Sequence, residues 1–269
     1  MKRFKTVHYT IHSNKIKDAR GIRFAVIADL HGMEFGSDNR KLLETIHRYR
    51  PDGILIAGDM IVRNDSASLK TASSLLRSLA QQYPVYYALG NHEYKLYRTD
   101  PQDNCMAARY QEYEKELKKA GIHILHNESC SLQVGKTSLT VYGLEVPLIY
   151  YKKPFSPQLK REEIRELIGE PSSDSLNILL AHSPKYGDTY FDWGADLILS
   201  GHYHGGIVRI GRHNGLLSPQ LHPFPKFCCG DFHRKDQHML VSAGAGEHTI
   251  PVRIHNPREL LMVDLKPNA

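Results

Sequence analysis

Over the first hundred residues, short apolar runs that stop at Gly, Asp or Asn alternate with longer stretches of helical period. RFAVIAD (23–29), GILIAGD (53–59) and PVYYALGN (84–91) read as strands, and the spacing between them predicts helices over 38–49 and 66–82. NILLAH (177–182) and DLILSGH (196–202) repeat the strand pattern later in the chain. Between the two groups the pattern predicts a helix at 105–119, a hairpin in the alternating stretch SLQVGKTSLTVYGL (131–144) and a helix near 159–168. The tail, 206–265, reads as further strands and loops. Strands alternating with crossover helices specify a layered α/β fold. No repeat, low-complexity tract or linker divides the chain, so one domain over 1–269 is expected.

Composition changes this picture little. With 269 residues, 41% apolar and 24% charged, the chain can bury a large core without covalent staples. Cys105, Cys130, Cys228 and Cys229 fit no C-x-x-C spacing and read as free thiols of a reducing compartment. No run approaches the roughly 20 apolar residues of a membrane span, and MKRFKTVHYTIHSNK lacks a secretory h-region, so the expected location is cytoplasmic. The net charge of +6 is scattered. Pairs such as Lys118-Lys119 and Lys152-Lys153 are too short for a nucleic-acid arm, so no stable nucleic-acid complex is expected, and nothing marks an obligate protein partner.

The chemistry lies at the strand ends. Asp29 and His31 close the first run, Asp59 the second, and Asn91 and His92 the third, about thirty residues apart each time. That spacing is one strand plus one crossover helix, which returns every strand end to the same edge, where open α/β sheets build their sites. His182, His202 and His204 end two further strands. Singly, each residue has a plain explanation as a cap, a turn former or a satisfied side chain. Jointly, D-x-H, G-D, G-N-H-E, a strand-end His and G-H-x-H in order point to a metal centre. Other templates fail: there is no G-x-x-x-x-G-K-[ST], no H-E-x-x-H and no G-x-S-x-G elbow beside His204-Gly205-Gly206.

These residues make the chain similar to the calcineurin-like metallophosphoesterases, whose five ordered motifs match DLH (29–31), GDM (58–60), GNHE (90–93), AH (181–182) and GHYH (201–204). The resemblance implies a four-layer αββα sandwich of two mixed sheets with helices outside. It also implies two divalent ions, one held by Asp29, His31, Asp59 and His204, the other by Asp59, Asn91, His182 and His202. Asp59 would bridge them. A mixed imidazole, carboxylate and amide set suits Mn, Fe or Zn better than Ca, and two cations sharing a water acidify it for attack on phosphorus. His92 stands outside the implied ligand set and is left to stabilise phosphoryl oxygens or protonate the leaving oxygen.

Within that superfamily, HGG after the last histidine pair and VRIHNPREL (252–260) resemble a small bacterial group of phosphodiesterases and UDP-diacylglucosamine pyrophosphohydrolase-like enzymes, although Ile207 replaces a common Gln. The expected substrate is therefore a small-molecule phosphodiester or pyrophosphate, nucleotide- or lipid-linked. A phosphomonoesterase or protein phosphatase on the same site, or a non-catalytic scaffold, are the alternatives, and the presence of His92 argues against the last. YYKKPF (150–155) and LLSPQLHPFPKF (216–227) mix apolar and basic residues; they are expected to be buried loops, or else, if exposed, to dock an acyl chain or a membrane surface.

Overall fold

The computed structural model describes residues 2–152, 155–211, 213–216, 223–247 and 252–268. In chain order its elements are β1 (Lys5–His12), β2 (Ile22–Ile27), α1 (Arg40–Tyr49), β3 (Gly53–Ala57), α2 (Ser66–Ala80), β4 (Val85–Ala88), α3 (Asn91–Tyr97), α4 (Cys105–Lys119) and β5 (His123–Ile124). There follow β6 (Ser129–Val134), β7 (Thr137–Leu144), α5 (Arg161–Ile168), β8 (Leu176–Ala181), α6 (Gly187–Trp193), β9 (Leu197–Ser200), β10 (Arg209–Ile210), β11 (Asn214–Gly215), β12 (Gly230–Arg234), β13 (Gln237–Val241) and β14 (Glu259–Lys266).

Two six-stranded sheets, ordered β1-β14-β2-β3-β4-β5 and β12-β13-β9-β8-β7-β6, stack face to face. Both are mixed: β2, β3, β4 and β5 run parallel while β14 runs antiparallel to β2, and β7, β8, β9 and β13 run parallel while β6 and β12 are antiparallel edges. The period-2 pattern explains the layering, because strands covered on both faces are apolar throughout. Ala25, Ile27, Ile54 and Ile56 pack outward with Leu42, Leu76 and Tyr110 of the helices α1, α2 and α4. Phe24, Val26 and Leu55 face inward onto Val141, Ile178 and Leu199 of the other sheet. Leu179 and Ile198 then face outward onto Ile164, Tyr190 and Trp193 of α5 and α6. The result is the four-layer αββα sandwich.

Local chemistry sets the helix starts. Asp65 caps α2 by accepting from the Ala67 N–H (2.9 Å), and Asn104 caps α4 by accepting from Met106 and Ala107 N–H (2.9 and 3.2 Å). The helix expected from residue 38 starts at Arg40, because Asp38 and Asn39 adopt positive φ in a preceding 3₁₀ turn. The 131–144 stretch is the β6–β7 hairpin, with Val134 paired to Thr137. The polar lead forms β1, an edge strand parallel to β14. Its alternating exposure reads weakly because only one face is covered. All four cysteines are free thiols. Among the described residues no helix is long and apolar enough to cross a membrane.

The two apolar-basic segments correct the expectation of burial in part. Tyr150 and Phe227 are buried, whereas Phe155, Leu216 and Phe224 are exposed. Lys153, Pro154 and residues 217–222 lie outside the described residues.

Candidate metal centre

The C-terminal ends of β2, β3 and β4 in one sheet and of β8 and β9 in the other meet at one edge of the sandwich. The strand-end residues therefore converge from two sheets rather than from a single rim. Asp29 and His31 follow β2, Asp59 follows β3, Asn91 and His92 open α3 after β4, His182 follows β8, and His202 and His204 follow β9. Asp29, His31, Asp59, His202 and His204 all adopt positive φ, between 47° and 68°, a region uncommon for non-glycine residues. Such backbone bends turn consecutive side chains inward, and the loops hold them by crossing over one another: Asp29 N–H donates to Gly58 O (3.0 Å) and His31 N–H to Asp59 O (3.1 Å). Gly90 allows this approach, since a Cβ there would collide with Asp59 Oδ1.

Side chains complete the cluster. Asp29 accepts the His202 N–H on both oxygens at 3.0 Å, and Asp59 Oδ1 accepts the His92 N–H at 2.9 Å. Asp59 Oδ2 lies 3.1 Å from His182 Nε2 and 3.9 Å from His31 Nε2, while Asp29 Oδ1 lies 3.4 Å from His204 Nε2 and 3.8 Å from His182 Nε2. Three overlapping groups have ligand atoms within 4.8 Å of one another: Asp29, His31 and His204; His31, Asp59 and His92; Asp59, His182 and His202. His182 donates Nδ1–H to Ala57 O at 2.7 Å, which fixes its tautomer and leaves the Nε2 lone pair facing the carboxylates. His31 is likewise hydrogen-bonded to the Ile61 backbone.

Two observations fit a cation. Asn91 Oδ1 is buried with no hydrogen-bond partner, a costly arrangement unless something accepts its lone pairs, and the buried His182 Nε2 faces only the Asp59 and Asp29 carboxylates. The electrostatics agree. Burial pushes the Asp29 carboxyl up to about 7. Burial pushes Asp59 the same way, but the imidazoles of His182, His92 and His31 hold it well below the usual carboxylate range. Burial opposes charge on His182, yet Asp59 raises it to about 10, while burial takes His31 down to about 4.

His92 differs from its neighbours. Its Nδ1 accepts the Arg63 N–H at 3.1 Å, so the neutral ring carries its proton on Nε2, where it can donate. Its ring sits edge-on to His31, with centroids 5.0 Å apart.

Four contributors were not singled out from the sequence. Glu93, fully buried on α3, accepts N–H bonds from Asp59, Met60, Ile61 and Gly90 (2.6–3.2 Å) and the Tyr87 hydroxyl at 2.8 Å. Burial and the Asp59 charge push its carboxyl up to about 8. Every group that bonds it is a donor, so its surroundings are built for the carboxylate. Its place in G-N-H-E was the available signal. Tyr151 lies edge-on to His202 with centroids 5.2 Å apart. Arg253 and Asn256, from the tail, reach the His204 loop: Asn256 Nδ2 donates to His204 O and Gly206 O (2.5 and 2.6 Å). No spacing rule marks those two.

Comparison with known proteins agrees with this architecture. A calcineurin-like phosphoesterase family model matches residues 22–206. Metallophosphoesterase F40B5.2 of Caenorhabditis elegans is 28% identical over 96% of this chain, which spans 53% of that protein, about half its length. Metallophosphoesterase YkuE of Bacillus subtilis is 25% identical over 97% of this chain and 85% of its own. The fold is similar to that of a 5′-nucleotidase from Staphylococcus aureus, with TM-score 0.53 and 12% identity over 93% of this chain and 55% of that one. The chain is a metallophosphoesterase domain and belongs to the calcineurin-like phosphoesterase family.

Proposed function

We propose that the protein hydrolyses a small-molecule phosphodiester or pyrophosphate, nucleotide- or lipid-linked, with two divalent ions of Mn, Fe or Zn. The observation that carries the reading is the convergence of His31, His182, His202 and His204 on the buried Asp29 and Asp59 carboxylates, beside the buried and unpartnered Asn91 Oδ1. Asp29, His31, Asp59 and His204 are assigned to one ion, and Asp59, Asn91, His182 and His202 to the other. Bound there, the ions would neutralise phosphoryl oxygens and acidify a water near neutral pH. Asn91 adds a ligand oxygen without a charge that would repel phosphate.

The chain's own residues do the rest. Nε2–H of His92 is the donor available to a phosphoryl oxygen or to the leaving oxygen as its bond to phosphorus breaks, and the Arg63 N–H keeps the ring in that tautomer. Glu93 holds the Asp59 loop in place. His92→Ala is expected to keep its metal and lose on the order of 10²- to 10⁴-fold in turnover. A variant with near wild-type kcat would remove His92 from the mechanism.

The deciding experiment compares bis(p-nitrophenyl) phosphate with p-nitrophenyl phosphate on metal-stripped protein reconstituted with manganese, Asp59→Asn serving as the blank. Preference for the diester with a dead blank supports the phosphodiesterase. Preference for the monoester makes the protein a phosphomonoesterase. No turnover of either, with two ions bound, leaves a selective pyrophosphohydrolase or a scaffold.

A further inference from the structure

We infer that the space between the β1 and β12 edges of the two sheets is a second ligand site, which takes the phosphate monoester of a sugar, free or within a nucleotide. It does not depend on the two-ion reading. Elsewhere the layer between the sheets is apolar, as at Val26, Leu55, Ile178 and Leu240. At this edge it turns polar. Val7 and Tyr9 of β1 pack against the layer, while Phe232 of β12 packs outward, which turns its neighbours Asp231 and His233 inward. Together with the β10–β11 hairpin and Glu259 at the start of β14, these edges border a cavity of about 720 Å³. That volume is typical of a small-molecule site, and none of the lining residues belongs to the metal centre.

The uncommitted groups in the wall are donors. Lys5, Tyr9, His213, His233 and His255 line the cavity, and among the described residues their side chains make no hydrogen bond or ion pair. The carboxylates of the wall, by contrast, are engaged. Glu259 pairs with Arg209 at 2.6 Å and accepts the Ala243 N–H at 3.2 Å, and Asp231 Oδ1 lies 3.2 Å from His238 Nδ1. An ammonium, a hydroxyl and three imidazoles, each with at least one N–H, suit an oxyanion. Burial, and after it the Glu259 charge, raise the Tyr9 hydroxyl above its usual range, so it stays a donor. The imidazoles do not assemble a metal site, since among the described residues only strand-end groups bring three ligand atoms within 4.8 Å of one another. Asp231 Oδ2 keeps its lone pairs for a hydroxyl, which a sugar supplies.

Titration calorimetry with ribose 5-phosphate and with adenosine 5′-monophosphate tests this on the full chain carrying Asp59→Asn, the blank of the assay above, so that neither probe is turned over. One molecule per chain should bind, and the tighter of the two probes tells whether the cavity takes the free sugar phosphate or the nucleotide. Ribose and adenosine, which lack the phosphate, should bind at least about tenfold more weakly. Lys5→Met and His233→Ala, both at exposed positions, should each weaken the ester at least about fivefold. The imidazole C–H signals of His213, His233 and His255 should shift in the proton spectrum as the ester is added. No saturable binding of either ester, equal affinity for the unphosphorylated sugar, or inorganic phosphate binding as tightly as the ester would each overturn the inference. Binding unmoved in both wall variants would overturn it too, and would place the ester elsewhere. Should a variant fail to fold, judged by its thermal melt, the histidine signals decide: shifts confined to His182, His202 and His204 would assign the ester to the strand-end centre and remove the second site.

Discussion

The two halves of the site are braced by groups of opposite polarity. On the side of the first sheet, Glu93 gathers four backbone N–H groups from the Asp59 and Gly90 loops onto one buried carboxylate. On the side of the second sheet, Arg253 and Asn256 do the converse, donating N–H groups to the carbonyls of His204, Gly206, Ala243 and Gly246. Both devices satisfy backbone groups that the positive-φ bends strip of regular partners. They differ in the groups they bind. A carboxyl behind Asp59 accepts from backbone N–H groups, whereas a guanidinium and an amide behind His204 donate to backbone carbonyls. Loops are thus braced in the two halves by groups of opposite hydrogen-bonding sense.

Removing one brace at a time breaks the comparison. The largest effect is expected for Glu93→Ala, which leaves four buried amides and the Tyr87 hydroxyl without an acceptor. Unsatisfied buried donors cost about 1–3 kcal/mol each before relaxation, so a loss of at least about 3 kcal/mol is expected by urea unfolding. Manganese binding at both proposed sites should fall with it, because Asp59 is assigned to both. Unchanged binding would mean that the loop holds Asp59 without Glu93. Asn256→Ala is the smaller counterpart: it removes the amide donor from two carbonyls, of which His204 O keeps Arg253 Nη1 at 3.5 Å. About 2 kcal/mol of stability should be lost, with manganese binding at the site proposed for Asp29, His31, Asp59 and His204 affected more than at the other. Loss of both ions would erase the distinction between the halves.

The same contrast explains what was legible in the sequence. Residues that close a strand carry their signal in a few adjacent positions, so Asp29, His31, Asp59, Asn91, His92, His182, His202 and His204 stood out as a group. The layers were legible because strands covered on both faces are apolar without alternation, as in GILIA of β3. β1 was not, since one exposed face gives it a polar reading. Helix α3 was hidden inside a motif, its seven residues being too few to display a period. Glu93 was visible as a letter but not as an anchor. Its role depends on the Asp59 and Gly90 loops closing around it. Asn256 acts across about fifty residues through backbone carbonyls, which have no sequence identity to detect, and Arg253 meets the His204 ring over a similar separation.

The smallest effect concerns the seam between the halves. His126 joins Glu114 of α4, behind the first sheet, to Glu145 just after β7 of the second, through Nε2 at 2.5 Å and Nδ1 at 2.9 Å, and it stacks on Tyr97 at the end of α3. Burial opposes its charge, but the two carboxylates outweigh that and raise it to about 9. Glu114 is pushed up by burial but held low overall by His126 and Lys118, whereas burial raises Glu145. A histidine raised above its unfolded value near 6.5 contributes its full stability below that pH and loses it as pH rises through 9. The raised Glu145 works in the same direction at its own lower range, while Glu114 loses its contribution only in acid. From pH 7 to 10 the seam should weaken by about 1–2 kcal/mol, a fall in Tm that His126→Gln would not show. An equal fall in the variant would assign the alkaline loss to another group and leave His126 a packing residue. If the seam opens as described, the helix that carries Asn91, His92 and Glu93 loosens first, since Tyr97 at its end rests on the His126 ring, and activity at pH 9 should decline before global unfolding does.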